Sequence, residues 1–201
     1  LLSAAGNLPA PIGVLALQGD FREHRQTLDA IGVESIEVRT IEDLHKSSAL
    51  IIPGGESTVM QKLAVAYDLF EPIKDALRAG LPAFGTCAGL IMLADEILDG
   101  IVGQSGFGGL DVSVRRNAFG NQLDSFEVDL EFLGVTGPAV HAAFIRAPIV
   151  ERVGASVEVL SQLTDGSIVG VRQNNLMGIS FHPEVTGETR IHELFVSMVR
   201  A

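Results

Sequence analysis

Three short apolar runs, at residues 12–17, 49–52 and 81–84, punctuate the first half of the chain, and each closes on a turn signal. The first ends at Gln18-Gly19-Asp20, the second at Pro53-Gly54-Gly55-Glu56-Ser57-Thr58, the third at Gly85. Uninterrupted apolar stretches this short read as strands buried on both faces. Between and after them, residues 21–31, 59–66, 71–79 and 90–94 carry the pattern of helices. Asp20 stands as N-cap of the first, and Gly32 and Gly80 as stops. Residues 33–38 alternate as an outer strand would, and 44–48 read as a helical turn. Strand and helix in alternation to residue 96 predict a doubly wound α/β fold, whose ligands sit at the carboxyl ends of the strands. All three glycine signals fall at such ends.

Beyond Gly100 the texture changes. A glycine-rich loop at 103–109 precedes segments 110–114, 125–131 and 140–145, which alternate with period two. Residues 157–163 and 168–173 flank Asp165-Gly166, a hairpin turn signal. Residues 176–181 form the last expected strand. Residues 188–200 close as an amphipathic helix on Ile191, Leu194, Phe195, Met198 and Val199. The expected architecture is a mostly parallel sheet with helices on both faces and an appended antiparallel strand region, in a single domain over 12–201. Residues 1–11 read as a loose N-terminal arm.

Composition narrows the function classes. Of 201 residues, 47% are hydrophobic and 19% charged, as in a folded globular protein. No run approaches the ~18 apolar residues of a membrane span. With 14 basic and 25 acidic residues the formal net charge is −11. Such a chain is a poor match for nucleic acid or an anionic membrane. Cys87 is the one cysteine. An internal disulfide is therefore impossible, no four-ligand zinc set forms around it by spacing, and a reducing, cytoplasmic setting is expected.

Cys87 lies in Gly85-Thr86-Cys87-Ala88-Gly89, between a buried strand and an apolar helical run. A lone cysteine is ordinarily a small buried hydrophobe. Here the glycine–x–nucleophile–x–glycine pattern marks a nucleophile elbow, with cysteine where hydrolases place serine. The turn strains the nucleophile's backbone and needs neighbours without side chains so that strand and helix can approach. It also aims the first free N–H groups of the helix at the sulfur, which favours thiolate.

A base is available 95 residues on, as 182 − 87 in the numbering, at Ser180-Phe181-His182-Pro183-Glu184. An imidazole can take the thiol proton and pass it to a leaving amine, while a carboxylate fixes its tautomer. Pro183 is expected to hold the backbone extended between His182 and Glu184. The other histidines, His24, His45, His141 and His192, show no carboxylate in so rigid a setting. The Gly54-Gly55 turn lacks the Gly-Lys-Ser/Thr ending of a phosphate loop. Glu56 beside it argues against an anion cradle and for an ammonium group, and the turn's backbone N–H groups become candidate oxyanion donors.

The Cys87 elbow with His182-Pro183-Glu184 resembles the triad of class I (Cys-His-Glu) glutamine amidotransferases. Further segments resemble the glutaminase subunits of pyridoxal 5′-phosphate synthase: residues 14–19, 53–58 and 180–184, Arg116-Asn117-Ala118-Phe119-Gly120, Asp124-Ser125-Phe126-Glu127, and Phe144-Ile145-Arg146-Ala147-Pro148. The likeness runs from about residue 12 to the end; the 1–11 arm and the 103–109 loop depart from it, and neither is expected to touch the triad.

The resemblance implies hydrolysis of L-glutamine to L-glutamate and ammonia through a thioester on Cys87, with His182 as acid–base group and Glu184 orienting it. It implies backbone N–H groups of Gly55 and Ala88 as oxyanion hole, and glutamine contacts from Gly55, Glu56, Ser57, Arg116, Ile145 and Arg146. Arg116 or Arg146 would pair with the substrate α-carboxylate. It implies no cofactor and no metal. Ammonia would pass to a separate barrel-shaped synthase subunit that builds pyridoxal 5′-phosphate (vitamin B6), with Gln18-Gly19 near the contact. Two other readings remain open from the residues: a glutaminase subunit of another amide-transfer pathway, and a non-catalytic α/β regulatory subunit with a redox-active cysteine.

Overall fold

A computed structural model of the chain describes residues 8–116 and 125–201. The element order is β1 (Ile12–Leu15), α1 (Phe21–Ala30), β2 (Ser35–Val38), α2 (Ile41–His45), β3 (Ala49–Ile52), α3 (Ser57–Ala66), α4 (Phe70–Arg78), β4 (Ala83–Thr86), α5 (Ala88–Leu93) and β5 (Ala94–Leu98). There follow β6 (Leu110–Arg115), β7 (Ser125–Leu130), β8 (Val140–Ile145), β9 (Ile149–Val153), β10 (Glu158–Gln162), β11 (Ile168–Gln173), β12 (Leu176–Ile179), α6 (Pro183–Thr186) and α7 (Arg190–Arg200).

One sheet runs in the order β2-β1-β3-β4-β12-β11-β9-β6-β5, with β10 on β11; β7 and β8 form a separate antiparallel pair. Strands β2, β1, β3, β4 and β12 are parallel, and β11 turns the sheet antiparallel. The appended region is thus antiparallel as expected, apart from β5, which lies parallel to β6.

Alternation along the strands sends side chains to two cores. Leu50 and Ile52 join Met60, Ile73, Leu77 and Leu90 under α3, α4 and α5. Ala49 and Ile51 join Leu28, Phe84, Phe195 and Phe144 under α1, α7 and the β7–β8 pair. Period two on a strand and burial on both faces together explain the unbroken apolar runs. The Asp165-Gly166 turn forms as expected, with Gly166 N–H donating to the Leu163 carbonyl at 2.9 Å between β10 and β11.

Several expectations shift. The helical run after the elbow ends one residue early, and Ala94–Leu98 continues as β5, an element the pattern did not suggest. β9 leaves no mark in the pattern, because Glu151 and Arg152 break its apolar run where both face solvent. The turn expected at 44–48 is α2, which begins earlier because Thr40 and Asp43 form a capping box. Of the arm at 1–11, residues 1–7 lie outside the described residues. Within 8–11, Leu8 packs on the core and Ser48 hydrogen-bonds the carbonyls of Ala10 and Pro11. Asn117–Gly120 and Asp124 of the resemblance segments also lie outside the described residues.

Candidate active site

β12 is last in the sheet by sequence but sits beside β4, pairing Ile179 with Thr86. The carboxyl ends of these two parallel strands therefore adjoin, and Cys87 N–H donates to the Ile179 carbonyl at 2.8 Å. Cys87 sits between β4 and α5 at φ 49°, ψ −104° and is 6% exposed. A non-glycine residue held there is strained, at a cost of order 1–3 kcal/mol, and persists only where surrounding packing enforces it. Its Sγ points toward the Ile145 carbonyl at 3.9 Å.

His182, three residues past β12, is anchored by its N–H to the Ala143 carbonyl at 3.0 Å. Its ring lies close enough to Cys87 for the sulfur to act on the charge of the imidazole. Nδ1 lies 2.8 Å from Glu184 Oε1 and 3.5 Å from Asp20 Oδ2. With Nδ1–H donating to the carboxylate, Nε2 is left for the sulfur. Two expectations need correction. Pro183 does not extend the backbone; it opens α6, with His182 as N-cap and Glu184 in the first turn. The fixed φ of proline suits the first helical position, where its missing N–H has no partner to lose. Asp20 stands at the N-cap of α1 but makes no side-chain cap bond; its carboxylate faces His182 instead.

Burial opposes charge on His182, but hydrogen bonds and charges of Cys87 and Glu184 outweigh it and raise the imidazole to about 10. Burial raises the Glu184 carboxyl above its ordinary range, against the pull of His182. The donors of Asp20, His182 and Glu184 lie within 4.8 Å of one another, close enough to hold a metal ion. The 2.8 Å bond already occupies the histidine nitrogen.

Behind Glu184 lies a buried polar network that corrects the reading of His24 as lacking a carboxylate. His24 Nε2 is 3.6 Å from Glu184 Oε1 and 3.1 Å from Thr86 Oγ1; His24 Nδ1 is 2.8 Å from His192 Nε2. Both rings are fully buried. Burial lowers His24 well below its ordinary value, helped by charges on His192 and His182, and burial lowers His192 to about 3.

These shifts set a pH dependence of stability. Below about pH 6.5 the unfolded chain binds protons at His24 and His192 that the folded chain refuses. Their contribution is therefore complete above that pH and lost as pH falls toward about 3 for His192. The loss is about 1.4 kcal/mol per pH unit for each group. His182 has the opposite sign: its contribution is complete below about pH 6.5 and lost as pH rises through about 10. Urea midpoints measured from pH 4.5 to 9.5 should fall on both sides of neutrality; a flat acid side would contradict the neutral buried pair.

The second glycine signal closes over the same rim. A Cβ on Gly54 would stand 2.3 Å from His182 Cε1, so the loop backbone lies directly against the imidazole. Gly55 has φ +132° with Gln18 Oε1 where a Cβ would project, and Gln18 accepts the Glu56 N–H at 3.0 Å. Only glycine fits. Ala88 opens α5, where first-turn N–H groups have no helical acceptor.

Glu56 is not left free for an ammonium group: its carboxylate accepts the Thr58 and Val59 N–H groups at the start of α3 and pairs with Arg116 at 3.1 Å. Arg116 also donates to Gln104 Oε1 at 2.7 Å, and Gln104 Nε2 donates to Ser57 Oγ at 2.9 Å. The glycine-rich loop therefore reaches the candidate substrate residues, though not the triad. Gln61 on α3 fastens it through Gly103 and Ser105. Ile145, 43% exposed, ends β8, and Arg146 follows at φ +45°, a second strained non-glycine residue near the sulfur.

Cys87, His182, Glu184 and the Ile145 carbonyl are thus brought together. Glu56, Ser57 and Arg116 form a neighbouring cluster. Gln104, Asp20 and His24 were not foreseen as site residues. His24 alone had a legible signal, since it falls on the apolar side of α1 with Thr27 and Leu28. A separate cleft of about 710 Å³, lined by Lys74, Arg78, Asn174 and Asn175, holds none of the triad. Among the described residues no helix is long and apolar enough to cross a membrane.

The family model described as SNO glutamine amidotransferase matches residues 14–201. The pyridoxal 5′-phosphate synthase subunit PdxT of Clavibacter sepedonicus is 57% identical over 201 residues, covering 97% of this chain and 96% of that one. That of Nocardioides sp. is 57% identical over 192 residues, covering 94% and 95%. A crystal structure titled glutamine amidotransferase superposes with a TM-score of 0.88 at 47% identity, covering 94% of this chain and 99% of that one. With the family pattern matched along nearly the whole chain and relatives more than half identical over the same span, this protein belongs to the SNO glutamine amidotransferase family.

Proposed function

We propose that this chain is the glutaminase subunit of pyridoxal 5′-phosphate synthase, releasing ammonia from L-glutamine for a separate synthase subunit. The observation that carries the reading is Cys87 on a strained elbow with His182 beside it, the His182 ring bonded through Nδ1 to Glu184 at 2.8 Å. Relatives named as that subunit support the acceptor pathway over other amide-transfer routes. The bonded imidazole and buried carboxylate favour a catalytic thiol over a regulatory redox one.

The Cys87 sulfur, having given its proton to His182, attacks the side-chain amide carbon of glutamine. The carbonyl π electrons move to oxygen, and N–H groups of Gly55 and Ala88 receive the oxyanion. Collapse breaks the C–N bond as His182 gives its proton to the amide nitrogen, which leaves as ammonia, and a γ-glutamyl thioester remains. His182 then takes a proton from water; the hydroxide adds, sulfur leaves, and glutamate is released. Glu184 holds the ring in the tautomer this exchange needs. Arg116 or Arg146 pairs with the substrate α-carboxylate, and Glu56, Ser57 and Ile145 line the binding site. A single domain over 12–201 and a barrel-shaped synthase partner complete the reading, and a reducing cytoplasm would keep the thiol free.

The test is ammonia release from glutamine, and pyridoxal 5′-phosphate formation from pentose and triose phosphates, with and without a synthase subunit. Release with product formed only when both chains are present is expected. No release with any synthase subunit overturns the proposal. Gln104, bridging Ser57 and Arg116, gives a finer measurement. Gln104→Ala should raise KM for glutamine about tenfold with kcat little changed, the loss of one charge-assisted bond. An unaltered KM would separate the loop from substrate binding.

A further inference from the structure

The mechanism just described uses Cys87, His182 and Glu184 but leaves unexplained two imidazoles buried behind them. His24 on α1 and His192 on α7 are each fully buried, 168 positions apart, and joined at 2.8 Å. Phe84 sets ring edges against both, at centroid distances of 6.2 and 5.5 Å. Neutral buried imidazoles are costly unless satisfied, and this pair ends on the Glu184 carboxylate and the Thr86 hydroxyl.

The tautomers follow from the partners. Only one of the two nitrogens sharing the 2.8 Å contact can carry the proton. If His24 carried it on Nδ1, its bare Nε2 would face the Glu184 carboxylate, lone pair against anion. His192 would then hold its proton on Nδ1, an atom that is buried without a partner. A buried N–H with no acceptor is the rarer and costlier orphan. In the alternative arrangement, His192 Nε2–H donates to His24 Nδ1, and His24 Nε2–H donates to Thr86 Oγ1 with its dipole toward Glu184. His192 Nδ1 is then a bare lone pair, and every proton in the pair has a use.

We propose that His24 is a positioning residue for the catalytic set, its Nε2–H held by Thr86 and by the His192 ring so that it faces Glu184 and keeps that carboxylate ionised and aimed at His182. The inference rests on the glutaminase reading above. Other titratable groups face the same point. Asp20, ahead of α1, lies 3.5 Å from His182 Nδ1 and raises Glu184 by its charge, and Cys87 at the start of α5 acts on the charge of the His182 ring. Against the like charge of Asp20 and against burial, an N–H dipole facing Glu184 from 3.6 Å works in the opposite sense, favouring the charged form.

The experiment uses the full chain with a synthase subunit that activates the wild type. His24→Leu removes the donor at similar volume, and His24→Gln can return an N–H near the Nε2 position. His24→Leu should lower kcat roughly 10- to 100-fold, the range for outer partners of an active group, with KM within about twofold. The acid limb of its kcat profile should move up by about one pH unit, because a carboxylate that loses a facing N–H dipole takes its proton more readily. His24→Gln should restore most of both. A wild type without glutaminase activity would dismiss the underlying reading. An active wild type whose two variants behave alike, or whose acid limb stays in place, overturns this inference alone. Should His24→Leu fail to fold, nitrogen-15 spectra of the histidine side chains in the wild type decide. Protons on Nε2 of both His24 and His192 at pH 7 are expected, and a bare Nε2 on His24 overturns it.

Discussion

Cys87→Ala is expected to abolish ammonia release, lowering kcat by about 10⁴-fold or more, as removal of a catalytic nucleophile does. No neighbouring group can replace the sulfur: the chain has no second cysteine, and His182 is committed to Glu184 through Nδ1. His182→Ala should cost a comparable factor, because sulfur without its proton acceptor is a poor nucleophile in a buried site. The two losses should not multiply. The double variant is expected close to either single one, the mark of residues acting as one unit. A glutamine-analogue electrophile should label the wild type at Cys87 and leave Cys87→Ala unlabelled. Release that survives Cys87→Ala, or factors that multiply in the double variant, would remove the thioester route.

The elbow's geometry carries the second large effect. A Cβ on Gly89 would sit 1.9 Å from the Ile52 carbonyl oxygen and 2.8 Å from its carbon. The obstacle is main chain of β3, which is hydrogen-bonded to both β1 and β4 and cannot swing aside like a side-chain tip. Gly89→Ala must therefore lift α5 from the sheet. The expected cost is about 3 kcal/mol, the upper part of the overpacking range. For a chain of this size that lowers the melting temperature by roughly 6–12 °C. Because Cys87 immediately precedes α5, the folded fraction should also lose activity. A calorimetric midpoint within a degree of wild type would show that the helix accommodates the methyl group without moving.

Much of this arrangement was legible in the chain. The apolar runs at 12–17, 49–52 and 81–84 became β1, β3 and β4, since burial on both faces demands just such unbroken runs. The glycines around Cys87 announced a close strand–helix approach, and the strained φ of 49° at Cys87 is what an elbow requires. Less was legible where an element depends on partners. β5 follows α5 without a break and finds its pairing in β6, sixteen residues away between Ala94 and Leu110. Pro183 looked like an extended spacer because proline suits both extended backbone and a first helical turn, and only packing chooses.

Periodicity, turn chemistry and charge therefore determined the α/β class, the elbow and the set of groups able to do acyl transfer, because those signals act over a few residues. Which groups meet was decided by the order of strands. Inserting β12 beside β4 sets His182 on Cys87, packing α1 and α7 on one face joins His24 to His192 and Glu184, and the 103–109 loop carries Gln104 to Ser57 and Arg116. Contacts spanning tens to more than a hundred residues leave no local pattern, since each depends on the burial of whole elements rather than on its own neighbours in sequence.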